Sequence, residues 1–363
     1  MFKPLLSAPH VVQRGEVKPA AAWAYRAFAV LIALAAGGVF LASLGYNPFR
    51  VYASMLMGAL GTPGMQRETV KLTIPLAMAS LGVLLAFKMR FWNIGAEGQF
   101  ALGAVAASYF ANFQPQLPPA LLISLMAASA VVLAGLWGLV PAWFKTRFGT
   151  NETLFTLMLN YIVLYIITYL REGPWRDPAG GFAATPRFPR QARLPELHFP
   201  SIGNVHIGLI VMLLAVVLVY LYLRYTKQGY EIAVVGQNER TARYAGMPVK
   251  RIVLRTMFLS AGICGLAGMM QVAGPDRQLT DAVAGGRGFT AVSVVWLARL
   301  SPLGSLAVAF LFSVMQKGCS MMQTEFRIPA SMSDILQGIV LFFVLGAEFF
   351  LQYSIRRRRE VPA

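Results

Sequence analysis

The sequence predicts an all-α polytopic membrane protein of about ten transmembrane helices, and three observations carry that prediction. Of its 363 residues 57% are hydrophobic and 13% charged, where an ordinary soluble domain carries roughly 25% charge. That leaves too few polar residues to cover a soluble core of this length. The apolar residues gather in charge-free runs close to the ~20 residues that cross a bilayer core. The 32 Lys and Arg, against 15 Asp and Glu, lie mostly in short segments between those runs, as the positive-inside bias requires. The same basic excess could serve nucleic acid, but no separate basic domain exists to hold one, so the partner it implies is the lipid bilayer.

The runs give the helices in order. The first is Ala27 to Phe49, between Arg26 and Arg50. A shorter apolar piece, Val51 to Leu60, reads as an interfacial or partial helix ahead of the second span, Leu72 to Phe87. From Gly98 to Phe144 no residue is charged, and the prolines at 115, 118 and 119 divide that run into helices three and four, because consecutive prolines end a helix. Helix five is Thr153 to Leu170. Arg171 to Val205, with six prolines and five arginines, reads as an exposed loop. Helix six is Ile207 to Leu223, and a polar stretch from Arg224 to Arg255 leads into helix seven, Thr256 to Val272. Phe289 to Ala298 is too short to cross alone and reads as a half-length element after the Gly-rich Ala284 to Gly288. Leu300 to Gln316 and Ile335 to about Ile355 complete the set.

With the N-terminus inside, 20 of the 32 basic residues fall on the inner side, so both termini are expected in the cytoplasm. The expected plan is a cytoplasmic tail (1–26), a membrane domain (27–355) with an external loop (171–205) and a cytoplasmic loop (224–255), and a basic cytoplasmic tail (356–363). Two small-residue helices in opposite halves, Gly98 to Ala107 and Leu303 to Phe310, hint at an internal repeat, although small residues also mark ordinary helix contacts.

Three polar clusters stand out. The first is Asn93, Glu97 and Gln99, at the entrance to helix three. Polar groups at membrane depth are costly, so they face either a pathway or a structural contact. Asn93 could cap the helix and Glu97 could favour its dipole. The second is Thr150, Asn151 and Glu152, with Asn160 about two turns further into an apolar run. Asn151 suits an N-cap, and Asn160 needs either an interhelical hydrogen bond or a pore contact. The third lies in the polar stretch: Gly236 as a break, Asn238 as N-cap, a short helix over Glu239 to Tyr244, Gly246 as C-cap and Pro248 beyond it. Such a helix could dock on a soluble partner or simply lie on the surface.

Several chemistries are excluded. There is no G-x-x-x-x-G-K-[ST] phosphate loop, so ATP hydrolysis by that device is not expected of this chain. No catalytic triad or carboxylate pair is discernible, and the chain is not expected to be an enzyme. The two cysteines and three histidines offer no metal-ligand spacing, so no cofactor or metal is expected. An ion-coupled secondary transporter is the alternative class, but few intramembrane acids are present to bind the ion.

The clusters also carry a resemblance. Asn93-Ile94-Gly95-Ala96-Glu97-Gly98-Gln99, Gly149-Thr150-Asn151-Glu152 with Met158-Leu159-Asn160-Tyr161, Val235-Gly236-Gln237-Asn238 with Ala242-Arg243-Tyr244-Ala245-Gly246, and Gly288-Phe289-Thr290 with Ala298 to Gly304 occur in that order. Over residues 25 to 350 the chain resembles the permease subunits of bacterial ABC importers for nucleosides and simple sugars, in the branched-chain amino-acid and ribose permease superfamily. The resemblance implies a type II importer fold of two inverted repeats in the bacterial inner membrane, with broken helices near the substrate path. Asn93, Glu97, Gln99, Asn151, Asn160 and Phe289 are the candidate pathway residues. Gly236, Gln237, Asn238, Ala242, Arg243, Tyr244 and Gly246 match the family's cytoplasmic coupling region to the ATPase. Gln237 stands where relatives commonly have Glu, which removes one negative charge from that contact. Implied partners are an ABC ATPase subunit, a second and non-identical permease, and a substrate-binding lipoprotein.

Overall fold

A computed structural model describes residues 10–13, 19–178 and 184–356. Most of the expected N-terminal tail, and all of the basic tail after Arg356, lie outside the described residues. The chain begins with strand β1 (His10–Gln13), followed by helices α1 (Pro19–Ser43), α2 (Pro48–Leu60), α3 (Pro63–Lys88), α4 (Ala96–Phe113), α5 (Pro119–Phe148) and α6 (Glu152–Glu172). A 3-10 turn (Arg190–Ala192) and a hairpin of β2 (Glu196–Phe199) and β3 (Gly203–His206) precede α7 (Gly208–Tyr225), α8 (Lys227–Gln237) and α9 (Glu239–Tyr244). α10 (Val249–Gln271) runs on into a π-turn, Val272–Asp276. Then come α11 (Arg287–Leu297), α12 (Pro302–Phe326), α13 (Ala330–Gln352) and β4 (Tyr353–Arg356), which pairs antiparallel with β1.

Among the described residues six helices, α3, α5, α6, α7, α10 and α12, are long and apolar enough to cross a membrane, and α1 with α2 forms a seventh, bent element. The ten expected from the sequence add α4, the half-length α11 and α13. The first expected span, Ala27 to Phe49, ends early at Ser43, and the expected partial helix, Val51 to Leu60, begins at Pro48 as α2, meeting α1 at 116°. Gly45 supplies a positive φ of 85°, Asn47 accepts the amides of Phe49 and Arg50, and Pro48 takes the first helical position, where its missing N–H costs nothing. α10 starts seven residues earlier than the charge-free run, because Arg255 lies on the helix and pairs with Glu231 of α8 (3.0 Å). The stretch from 171 to 205 is more ordered than a bare loop. It carries the β2–β3 hairpin and a fully buried Phe188.

The structure divides into two compact units, one within 1–58 and 318–363 and one spanning 59–317. In the first, Leu41, Val51, Met322, Ile328 and Leu336 form a buried cluster. In the second, α3, α4 and α5 gather around α10. Small residues allow the close approach. A Cβ on Gly103 would lie 2.2 Å from the Gly265 carbonyl oxygen, and one on Gly268 would lie 1.9 Å from that of Phe100, so α4 and α10 touch backbone to backbone. α3 is 83% buried over its most apolar window, against 22% for α6 and for α7, which puts α3 in the interior and leaves α6 and α7 with broad outer faces. α3 and α10 also exchange followers: α4, which follows α3, packs on α10, and α11, which follows α10, packs on α3. Two repeated units related by a two-fold axis would pack in this way.

Candidate functional site

The helix ladder stops at Lys88, and the chain returns into the unit without helical bonding from Met89 to Gly95. Non-helical backbone inside a bundle must have its polar groups paired, and here Met89, Phe91 and Asn93 are buried. Turn bonds satisfy the N–H groups of Met89, Arg90, Phe91 and Asn93, and side chains serve the groups at Ile94 and Gly95. The Asn93 amide exchanges two hydrogen bonds with the Gln99 amide (3.0 and 3.1 Å), and its oxygen accepts the Gly95 N–H. Its nitrogen also reaches Ser260 on α10 (3.4 Å). Thr156 on α6 accepts the Ile94 N–H. Asn160, one turn further along α6, accepts the Gly98 N–H (2.9 Å) and donates to the Ile94 carbonyl (2.9 Å). Asn93, Gln99 and Asn160 thus form one buried amide knot that supports the broken backbone.

Glu97 points across to a different helix. Its two carboxylate oxygens accept the Gly286 and Gly288 N–H groups, each at 2.7 Å, at the N-terminus of α11. A carboxylate suits that position, because the first amides of a helix are unpaired and its dipole is positive there. Gly286 adopts a φ of 77°, and a Cβ on Gly288 would meet the Glu97 nitrogen at 2.2 Å, so the glycines are what bring α11 this close. Beside the cap lie Arg287, Asp276 and Gln271, with Gln271 donating to Asp276 (2.8 Å). None of these three stood out in the sequence, since Gln271 and Arg287 are single polar residues among apolar and glycine neighbours and Asp276 lies in the short polar turn Asp276-Arg277-Gln278. Phe289, in the first turn of α11, is 43% exposed. Asn151 lies apart from the knot, as the N-cap of α6, accepting from Thr153 and Leu154.

At the end of the unit where α3 stops, α8 and α9 meet at Asn238, whose side chain caps α9 by accepting from Arg240 and Thr241. Ala242 is buried beneath α9, whereas Tyr244 is 92% exposed. Gly246, at φ 72°, turns the chain toward α10. A cleft of about 540 Å³ opens there, lined by Gly236, Gln237, Asn238 and Arg243 from this loop, Met89 to Phe91 from the break, and Lys145 and Glu152 from the α5–α6 turn. Lys145 and Glu152 are ion-paired (2.6 Å). A Cβ on Gly236 would lie 2.2 Å from the Lys88 carbonyl oxygen, so α8 rests directly on the end of α3.

Residues 68–345 match the family described as the branched-chain amino acid transport system permease component. The chain belongs to this family. Similar relatives include a glucose ABC transporter permease protein of Haloferax volcanii, 34% identical over 92% of this chain and 91% of its own. A guanosine ABC transporter permease protein of Bacillus subtilis is 30% identical over 90% and 93%, and a nucleoside ABC transporter permease protein of Lactococcus lactis is 28% identical over 92% and 93%. This permease is therefore a multi-pass membrane transport component.

One further group escaped the sequence reading. His206, at the end of β3, is buried against Gly208 and the π-turn residue Gly274, and neither ring nitrogen has a partner among the described residues. Burial, reinforced by Lys71 and opposed by Glu196, pushes its pKa down to about 4, so the ring is neutral near pH 7.

Proposed function

We propose that this permease is the membrane-spanning subunit of an ATP-binding-cassette importer that carries a nucleoside or a simple sugar inward by alternating access, driven by a separate ATPase subunit. The single observation that carries the reading is the α8–α9 pair with its cleft. The residues that resemble the family's coupling region, Gly236, Gln237, Asn238, Ala242, Arg243, Tyr244 and Gly246, form a capped helix beside an open polar cleft at one end of the bundle. Tyr244, Arg240 and Arg243 project there, ready for a soluble partner.

On this reading that end faces the cytoplasm of a bacterial cell, and the membrane is the inner one. The substrate class comes from the relatives, which transport glucose, guanosine and nucleosides. The partners are the ATPase, a second, non-identical permease and a substrate-binding lipoprotein. The substrate path runs past Asn93, Glu97, Gln99, Asn151, Asn160 and Phe289, with the amide knot fixing its walls. Reconstitution with the ATPase and second permease tests the proposal. Uptake of a labelled nucleoside or sugar should need ATP and all subunits, and Tyr244→Ala with Arg243→Ala should weaken ATPase association. Uptake by the chain alone on an ion gradient would favour a secondary transporter instead.

A further inference from the structure

Glu97 and Trp92 lie on one short segment, yet they reach opposite ends of α11. We infer that Met89 to Glu97 is a relay that moves α11 when the α8–α9 loop moves, with Trp92 and Glu97 as positioning residues for that half-length helix; the inference rests on the importer reading above.

The contacts follow one another along the segment. At its start, Met89, Arg90 and Phe91 line the cleft beside α8 and α9, and Gly236 of α8 presses on the Lys88 carbonyl with no room for a methyl group. Next, the Trp92 ring stacks on Trp296 near the C-terminal end of α11, with centroids 5.4 Å apart and planes 25° from parallel. Phe87 packs against both rings, at 5.4 and 5.9 Å. At its far end Glu97 holds the N-terminal amides of α11. Gly288 and Trp296 are separated by about 12 Å of helix, within the roughly 16 Å that five extended residues from 92 to 97 can span.

α11 is thus gripped at both ends by one piece of chain. That piece is held in place because Asn93 and Asn160 pin Gly95 and Ile94 and turn bonds close the residues before them. α11 is joined to its neighbours by sharp turns, with positive φ at Gly285, Gly286, Arg299 and Leu300, and not by continuous helix. A displacement of α8 at Lys88 is therefore transmitted to α11 as a rigid-body shift. Packed contacts of this kind switch between discrete arrangements and do not stretch.

The test uses the complete reconstituted importer, with a nitroxide on Ser293→Cys, a half-buried position midway along α11 that lies outside the proposed substrate path. Trp92 and Trp296 are 43% and 40% exposed, so truncating either leaves no closed cavity. In the otherwise unsubstituted complex ATP should change the nitroxide spectrum. Trp92→Ala should abolish that change and lower substrate imported per ATP hydrolysed at least fivefold. Trp296→Ala should do the same, the double variant should add little, and Trp92→Phe should restore both readouts. Should Trp92→Ala fail to assemble, Trp296→Ala carries the same expectation. An unchanged nitroxide response or an unchanged import-to-ATP ratio in the alanine variants overturns the relay while leaving ATP-driven import standing. Absence of ATP-driven uptake by the unsubstituted complex overturns the importer reading and the relay with it.

Discussion

Removing the Glu97 carboxylate should cost more than any single hydrogen bond in the break, and the size of the loss follows from its geometry. Glu97→Ala orphans two N–H groups, the part-buried one of Gly286 and the buried one of Gly288, now held at 2.7 Å each. A hydrogen bond to a charged group is worth about 1.5–3 kcal/mol, and the negative charge at a helix N-terminus adds about 0.3–1 kcal/mol. Relief from burying the carboxylate offsets part of that sum. A net loss of about 2–4 kcal/mol is expected. Glu97→Gln should lose about half as much, because its amide oxygen can accept one N–H while its NH2 group faces the other, donor against donor. SDS-driven unfolding in mixed micelles measures the difference. If Glu97→Ala unfolded within 0.5 kcal/mol of the unsubstituted protein, or more easily for Gln than for Ala, the cap would not hold α11.

Four other outcomes follow. Asn160→Leu removes the acceptor of the Gly98 N–H and the donor to the Ile94 carbonyl, so the same unfolding assay should report a loss of about 1–3 kcal/mol. Gly268→Ala drives a methyl group to 1.9 Å from the Phe100 carbonyl and should abolish accumulation of folded protein, whereas Gly338→Ala, with nothing within 4 Å, should melt within a degree or two of the parent. Gly236→Ala should fold but lose most ATP-driven uptake, because its methyl group would collide with the Lys88 carbonyl. For His206, unfolded histidine takes a proton near pH 6.5 while the folded ring waits until about 4. The unfolded state therefore binds more protons between those values, and stability falls as pH drops from 6.5 to 4, by up to about 3 kcal/mol. His206→Phe should flatten that part of the melting-temperature profile relative to the parent.

Much of this fold is legible in the sequence because membrane spans are written in long charge-free runs, and the α8–α9 signal is a local cap, Asn238, followed by Gly246. α2 is legible as the short apolar piece after Arg50, but the end of α1 at Ser43 is hidden because Gly45, Asn47 and Pro48 interrupt an apolar run without any charge. The start of α10 is hidden for the opposite reason, since Arg255 interrupts a helix that continues through it. In the candidate site the first-cluster residues are visible as polar groups in apolar surroundings, but their partners are not. Thr156, Ser260 and the amides of Gly286 and Gly288 come from 60 to 190 positions away, and nothing in one sequence ties Glu97 to α11. His206 is invisible because its burial depends on a hairpin packed against the π-turn.

The most direct test of the importer reading is labelled-substrate uptake into vesicles holding this permease with its ATPase and second permease, with binding protein supplied outside. The predicted result is accumulation of a nucleoside or simple sugar only when ATP is enclosed on the α8–α9 side, and none from the permease alone. Equal accumulation without ATPase, or accumulation driven by an ion gradient, would contradict it.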